Sequence, residues 1–262
     1  MKNNHTMKLS IIIPAYNEEK RIENTLEEYS KYFDEIARRE GLDYEILVVI
    51  NNTKDGTEEI VRKIQKKFTK IKYLNLVKGG KGYAVLEGFK DALKRKNELI
   101  GFVDADMSTT PDAFYDLVSN INSCGGVIAS RYIKGSMVKP KPSFARVLVS
   151  RIFNASIRAI LFMPYRDTQC GAKLFKREVL MMAIPHIKMT RWAFDVELIY
   201  TIRKDGFIVK EIPTKWSDKA YSTINFMTAG PWMALAIVRL RILHSPLKRF
   251  IRVYDQGVKL FR

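Results

Sequence analysis

An α/β fold with a mostly parallel central sheet flanked by helices is predicted by three observations. Short apolar runs of strand length alternate with longer stretches of helical spacing through the first half of the chain. The runs are nearly continuous in Val, Ile and Leu, as strands buried on both faces are. Each ends in a polar or glycine-rich turn, and the next helical pattern starts within a few residues, the rhythm of βαβ units.

Residues 9–14 read as the first strand. Ile22, Leu26, Tyr29, Phe33 and Ile36 then stripe one face of a helix over 19–39. A second buried strand spans 44–50, followed by a helix over 58–68. The third strand, 71–77, precedes a helix over 81–94 with Ala84, Val85, Phe89 and Leu93 on one face. The fourth strand is 99–103. Pro111 opens a helix, and 126–130 is the fifth strand. After Arg131 the rhythm breaks at a kinked KPKP linker, 139–142.

Residues 144–162 then place Val147, Leu148, Ile152, Phe153, Ile157, Ile160 and Leu161 among Arg146, Arg151 and Arg158. That pattern fits a basic amphipathic helix at an interface, and equally a core helix whose arginines reach solvent. A strand over 171–175, a helix over 192–204 and a strand over 207–213 follow. The tail, 226–261, is apolar and basic, with Pro231 and Pro246 expected as breaks. The expected organisation is a catalytic domain over 8–225, in halves 8–131 and 132–225, and an amphipathic tail over 226–262.

With 47% apolar and 28% charged residues the chain is globular, not disordered. Its two cysteines, Cys124 and Cys170, make no disulfide framework and suit a reducing compartment. The apolar stretch near the N-terminus is too short for a signal peptide, and no run is long enough to span a bilayer. The formal charge of +17 asks for an anionic partner. Residues 134–166 contain no acid, and 239–262 carry Asp255 alone among many bases and large aliphatics. That mixture suits an anionic membrane surface, giving a peripheral location on its cytoplasmic face. Nucleic acid is not expected: no zinc signature, RNA-binding aromatic motif or recognition-helix pattern occurs.

Three motifs carry chemistry. Residues 99–106 read LIGFVDAD, so a buried strand delivers Asp104 and Asp106 at the sheet's carboxyl edge, where open α/β sheets bind ligands. Paired carboxylates suit Mg²⁺ or Mn²⁺, and that ion suits a diphosphate; they would also serve as a cap for the next helix. Residues 14–18, PAYNE, close the first strand and could hold a base and ribose, or form a plain turn capped by Asn17. KGGKG, 78–82, offers glycines, a helix start and Lys81 for a phosphate, without the spacing of a Walker loop.

In this order the pieces resemble the family 2 glycosyltransferases of GT-A fold, over about residues 8–225: PAYNE, NNTKDGT, GGKG, DAD, Ser-Arg, RDTQCGAKLF and RWAFDVEL. The last two motifs are the most specific and point to the polyprenyl-phosphate sugar synthases, nearest the dolichyl-phosphate glucosyltransferase branch. The resemblance implies that Pro14, Tyr16 and Glu18 form the nucleotide loop. It implies that Asp104 faces ribose and metal, that Asp106 ligates the metal, and that Arg131 reaches a phosphate. Arg146, Asp167, Gln169, Lys173, Arg191 and Trp192 fall on the acceptor side, with Asp195 in the last catalytic-face motif. Asp195 would orient the acceptor, or simply cap a helix or pair with Arg191. Relatives carry paired aspartates after the second strand, the second contacting the base; here Ile50 and Asn51 stand there. An amide suits uracil better than guanine, which favours UDP-glucose over GDP-mannose as donor.

The implied reaction is inverting transfer of glucose or mannose to dolichyl or polyprenyl phosphate. With a second pKa of about 6, the acceptor phosphate is already a nucleophile near neutrality. The other readings are transfer to a glycan hydroxyl with Asp195 as base, a pseudoenzyme that only binds donor, and, more distantly, a basic nucleic-acid binder.

Overall fold

The computed structural model describes residues 6–141, 143–188, 193–217, 226–251 and 254–256, with the backbone alone at 145–146 and 226–233. The first half runs β1 (Lys8–Ala15), α1 (Ile22–Glu40), β2 (Asp43–Asn51), α2 (Thr57–Lys67), β3 (Ile71–Leu76), α3 (Lys81–Lys94), β4 (Leu99–Phe102), α4 (Pro111–Ser119) and β5 (Gly126–Ser130). It continues with β6 (Met137–Lys139), α5 (Phe144–Leu161), β7 (Lys173–Lys176), α6 (Arg177–Ala183), α7 (Phe194–Lys204), β8 (Val209–Pro213), β9 (Lys215–Ser217) and α8 (Phe226–Leu243).

Among the described residues, seven strands form the main sheet in the order β3-β2-β1-β4-β7-β5-β8. Every pairing is parallel except those of β7, which runs antiparallel between β4 and β5. A second small sheet pairs β6 with β9.

The alternation along each central strand builds two cores. Ile11, Ile13, Ile46, Val48 and Ile50 face one, with Tyr29 and Phe33 of α1 and Phe114 of α4. Ile12, Leu47 and Val49 face the other, with residues of α3, α5, α6, α7 and α8. Successive strand side chains point to opposite faces, so a continuous aliphatic run needs cover on both sides. Pro14 is tolerated inside β1 because the β4 ladder stops at the Ile12–Phe102 pair, leaving no partner on that side for an N–H at position 14.

Three details differ from the sequence expectation. β7 starts at Lys173; Ala172 still accepts from the Ala129 N–H at 3.0 Å, while Gly171 lies against Asp104 just past the tip of β4. β7 is also antiparallel: the chain leaves β5 at the carboxyl edge, passes through β6 and α5, and re-enters the sheet at that same edge. And α8 runs through Pro231 and ends before Pro246. A proline so near the start of a helix removes only one backbone hydrogen bond of the next turn. The tail is no detached appendage either: Ile237 and Leu240 are buried in the core and α8 packs along α5.

This topology gathers the site. The parallel strands β1, β2, β3, β4, β5 and β8 all end at one edge, and antiparallel β7 begins there, so the loop of residues 162–172 arrives at the same place. On the opposite edge, Arg177 donates to the carbonyls of Arg95 and Leu93 at 2.6 Å, closing the end of α3. Arg177→Ala removes two charge-assisted hydrogen bonds and should cost about 1.5–3 kcal/mol, read as a lower urea midpoint with an unchanged slope.

Candidate active site

The tip of β4 is held from three sides. Thr25 donates to the Ala105 carbonyl at 2.7 Å and Tyr29 to the Thr109 carbonyl at 2.9 Å. Ser217, at the end of β9, donates its N–H to the Ser108 carbonyl at 2.8 Å. Asp106 accepts from the Ser108 N–H at 2.9 Å, which fixes its carboxylate at the start of the turn. Asp104 lies against Gly171: a Cβ there would fall 2.0 Å from Asp104 Oδ2. Only glycine lets the 166–172 loop come this close.

Lys81, the first residue of α3, forms an ion pair with Asp104. Burial opposes the charge on its ammonium, but Asp104, Asp195 and Asp106 outweigh it and hold the pKa above its ordinary value. Burial pushes the Asp104 carboxyl up; Lys81 pulls it back, and Asp106 adds repulsion. Burial likewise raises Glu18 to about 6, opposed by Arg21, which donates to it at 2.7 Å. Glu18, Asp104, Asp106 and Asp195 thus share one electrostatic neighbourhood.

A hard cation fits these residues. Among the described residues no three or more Asp, Glu, His or Cys are grouped as a cage, and Asp104 and Asp106 would supply two carboxylates. That is the donor set of an Mg²⁺ or Mn²⁺ that completes its shell with phosphate oxygens and water.

The loops after β1 and β2 are stitched together. Asn17, at φ +52°, accepts from the Lys54 N–H at 2.9 Å, and the Glu18 N–H donates to Thr57 at 2.8 Å. Glu19 accepts from the Gly56 N–H at 3.2 Å. Asn17 is therefore not the cap of α1, which opens at Ile22 with no side-chain cap. Tyr16 is left 52% exposed, a ring available for stacking.

Asn51 corrects the sequence expectation. It is 2% exposed, donates to the Ala15 carbonyl at 3.1 Å and accepts from the Gly80 N–H at 3.1 Å. Its amide ties the β1 and GGKG loops together and is buried there, engaged at both nitrogen and oxygen instead of standing open to a base. Pro14, too, is buried in β1 and sets the loop's direction instead of facing its open side.

On the far side, Arg131 sits in a built cradle. Asp167, fully buried, accepts from Arg131 Nε at 2.7 Å, from Nη2 at 2.9 Å and from its backbone N–H at 3.0 Å. The guanidinium lies 5.3 Å from the centre of the Tyr132 ring and 5.1 Å from that of Trp216. Asp167 thus grips Arg131 and does not itself face the open site. Gln169 sits beside it, donating its N–H to Asp167 at 3.3 Å.

Lys173 is also fully buried, in contrast to the expected acceptor contact. Its ammonium donates to the Cys170 carbonyl and to Asp195 Oδ1, each at 2.6 Å. Arg191 and Trp192 lie outside the described residues, as does the side chain of Arg146.

Sequence reasoning missed Trp216, Gly171, Thr25 and Tyr29. Trp216 and Gly171 carried a local signal, an aromatic after a strand and a glycine inside RDTQCGAKLF; Thr25 and Tyr29 looked like ordinary positions on a helix.

A model of "Glycosyl transferase family 2" matches residues 10–182. A dolichyl-phosphate beta-glucosyltransferase of Dictyostelium discoideum is 32% identical over 243 residues, 89% of this chain and 73% of that protein. One of Homo sapiens is 32% identical over 253 residues, covering 91% and 76%. The chain belongs to glycosyl transferase family 2. Among solved structures, this family 2 glycosyltransferase shares its GT-A fold with glucosyl-3-phosphoglycerate synthase from Mycobacterium tuberculosis, crystallised with Mn²⁺, UDP and glucosyl-3-phosphoglycerate. That match has a TM-score of 0.62 at 18% identity and covers 90% of this chain and 79% of that one.

Because the folded pKa of Glu18, about 6, lies above its ordinary 4.5, the group stabilises the fold only where it is protonated. Its contribution is complete below pH about 4.5 and is lost as pH rises through about 6. Glu18→Gln should therefore be more stable than the parent at pH 8, by up to about 2 kcal/mol, and indistinguishable from it at pH 4. Urea midpoints across that range measure the difference.

Proposed function

We propose that this glycosyltransferase moves glucose from UDP-glucose to dolichyl or polyprenyl phosphate, with inversion, at a membrane surface. The observation that carries the choice of acceptor is the Asp195–Lys173 pair. A carboxylate held at 2.6 Å by a buried ammonium is poorly placed to take a proton from a hydroxyl. A phosphate needs no such base, because it is already ionised near neutrality. The relatives' names support the same acceptor and a glucosyl donor.

Asp104 and Asp106 would hold the divalent cation, which when bound would neutralise the leaving diphosphate. The exposed ring of Tyr16 would pack on the base. Lys81 adds positive charge on the donor side. Arg131, pinned by Asp167 and flanked by Tyr132 and Trp216, would present the rest of its guanidinium to the acceptor phosphate. Two anions meet here, so fixed positive charge counts for more than proton transfer. Attack opposite the diphosphate turns an α-linked donor into a β-linked product. Asp195, fixed by Lys173, would orient an acceptor or sugar hydroxyl.

For membrane contact, Phe144, Leu148 and Ile152 repeat every four residues on α5 and are 81%, 46% and 57% exposed. Arg151 lies exposed next to them, and Phe162, 73% exposed, lies under Arg241 of α8. Apolar side chains among arginines fit an anionic interface. Among the described residues no helix is long and apolar enough to cross a membrane.

Radiolabelled transfer from a panel headed by UDP-glucose and GDP-mannose, onto polyprenyl phosphate with Mg²⁺ or Mn²⁺, tests the reading. Glucose should enter the lipid extract, and Asp106→Ala or excess chelator should lower the rate by at least about 10²-fold. Label entering only a water-soluble glycan would favour the hydroxyl-acceptor reading. Leu148→Asp combined with Ile152→Asp should weaken flotation with anionic vesicles while leaving the melting temperature nearly unchanged. Because α8 belongs to the core, these surface changes probe docking more cleanly than deletion of the tail.

A further inference from the structure

The seat proposed for the metal already has a cation in it. The Lys81 ammonium is paired with Asp104 and feels the charges of Asp106 and Asp195, and Asp104 and Asp106 act in turn on Glu18. Two other cations among the described residues each hold a different acid of the group: Arg21 pairs with Glu18, and Lys173 with Asp195.

The two partners of the Lys81–Asp104 pair differ in freedom. Asp104 is wedged against Gly171, on a strand tip anchored through Thr25, Tyr29 and Ser217. It has nowhere to go. The backbone that delivers Lys81 is also fixed. Gly80 holds φ +127°, a conformation glycine alone adopts readily, and its N–H is bound to Asn51. The side chain itself is a flexible four-carbon stem, and it stays 45% exposed. If one partner moves, it is the Lys81 ammonium.

We propose that Lys81 is a resident counter-ion that keeps the metal seat filled until donor arrives, so that metal binding is conditional on the nucleotide diphosphate. This rests on the metal seat given under the proposed function and adds an order of events to it. A divalent cation arriving alone must evict the ammonium from Asp104, and the part-exposed ammonium then trades that ion pair for water. Arriving with a diphosphate, the cation gains phosphate ligands and Lys81 gains a phosphate partner. Lys81 then contacts the donor, and the buried amide of Asn51 keeps its loop in place for the exchange. The same arrangement keeps the acids compensated between turnovers.

Mn²⁺ binding to the full chain, followed by electron paramagnetic resonance with no sugar and no lipid, tests the idea. The parent should bind Mn²⁺ weakly alone and at least about tenfold more tightly with UDP, a coupling of ordinary size. Lys81→Gln should bind Mn²⁺ alone about tenfold more tightly than the parent, with the UDP enhancement reduced to match. Lys81→Arg, which keeps the charge, should behave like the parent. Lys81→Met, apolar and nearly the same length, repeats the neutral test, so a folding defect peculiar to glutamine does not decide it. If both neutral variants bind Mn²⁺ alone no better than the parent, the counter-ion role is overturned and the metal seat stands. If the parent binds no Mn²⁺ even with UDP, or Asp106→Ala binds it equally well, the seat itself is wrong and both ideas fall.

Discussion

Everything at the carboxyl edge depends on neutralising carboxylates taken out of water. Four acids collect there, and burial pushes the carboxyls of Asp104 and Glu18 up. Three of them are met by a cation from a different part of the chain: Arg21, just before α1, on Glu18, Lys81 from α3 on Asp104, and Lys173 from β7 on Asp195. Asp106 differs, with a backbone N–H of its own turn as its partner. The fold can therefore hold a strongly acidic site inside a protein of net charge +17.

The same principle separates the side proposed for the donor from the side proposed for the acceptor. On the donor side the acids outnumber the cations, which suits a metal and its diphosphate. On the acceptor side Arg131 is gripped by buried Asp167, and its faces are covered by Tyr132 and Trp216. That pairing fixes the guanidinium plane and leaves a positive edge, which suits an incoming phosphate. Trp216 belongs to both sides. It stacks on Arg131, and its backbone bridges Thr109 in the loop that follows the paired aspartates.

The first half of the fold was legible because its strands are continuous aliphatic runs and its helices carry clean stripes, and period is a local property. The placement of Asp104 and Asp106 at a strand tip was legible for the same reason. The fates of Asn51, Lys173 and Asp167 were not. Each looked like a ligand-contacting residue in a motif, and each is buried with its polar atoms committed to other parts of the chain. A motif gives a residue's neighbours in sequence; it does not say which of its atoms water or substrate can reach.

The sequence by itself determined the alternation of strands and helices, the edge at which the acids collect, and the excess of basic residues in the second half. Those follow from spacing and composition, which need no long-range contact. Tertiary structure alone decided that β7 inserts antiparallel, bringing the 166–172 loop back to the acids, and that Gly171 seats Asp104. It decided too that α8 joins the core beside α5 instead of trailing free. These outcomes depend on which distant surfaces bury one another, and that is a property of the assembled chain.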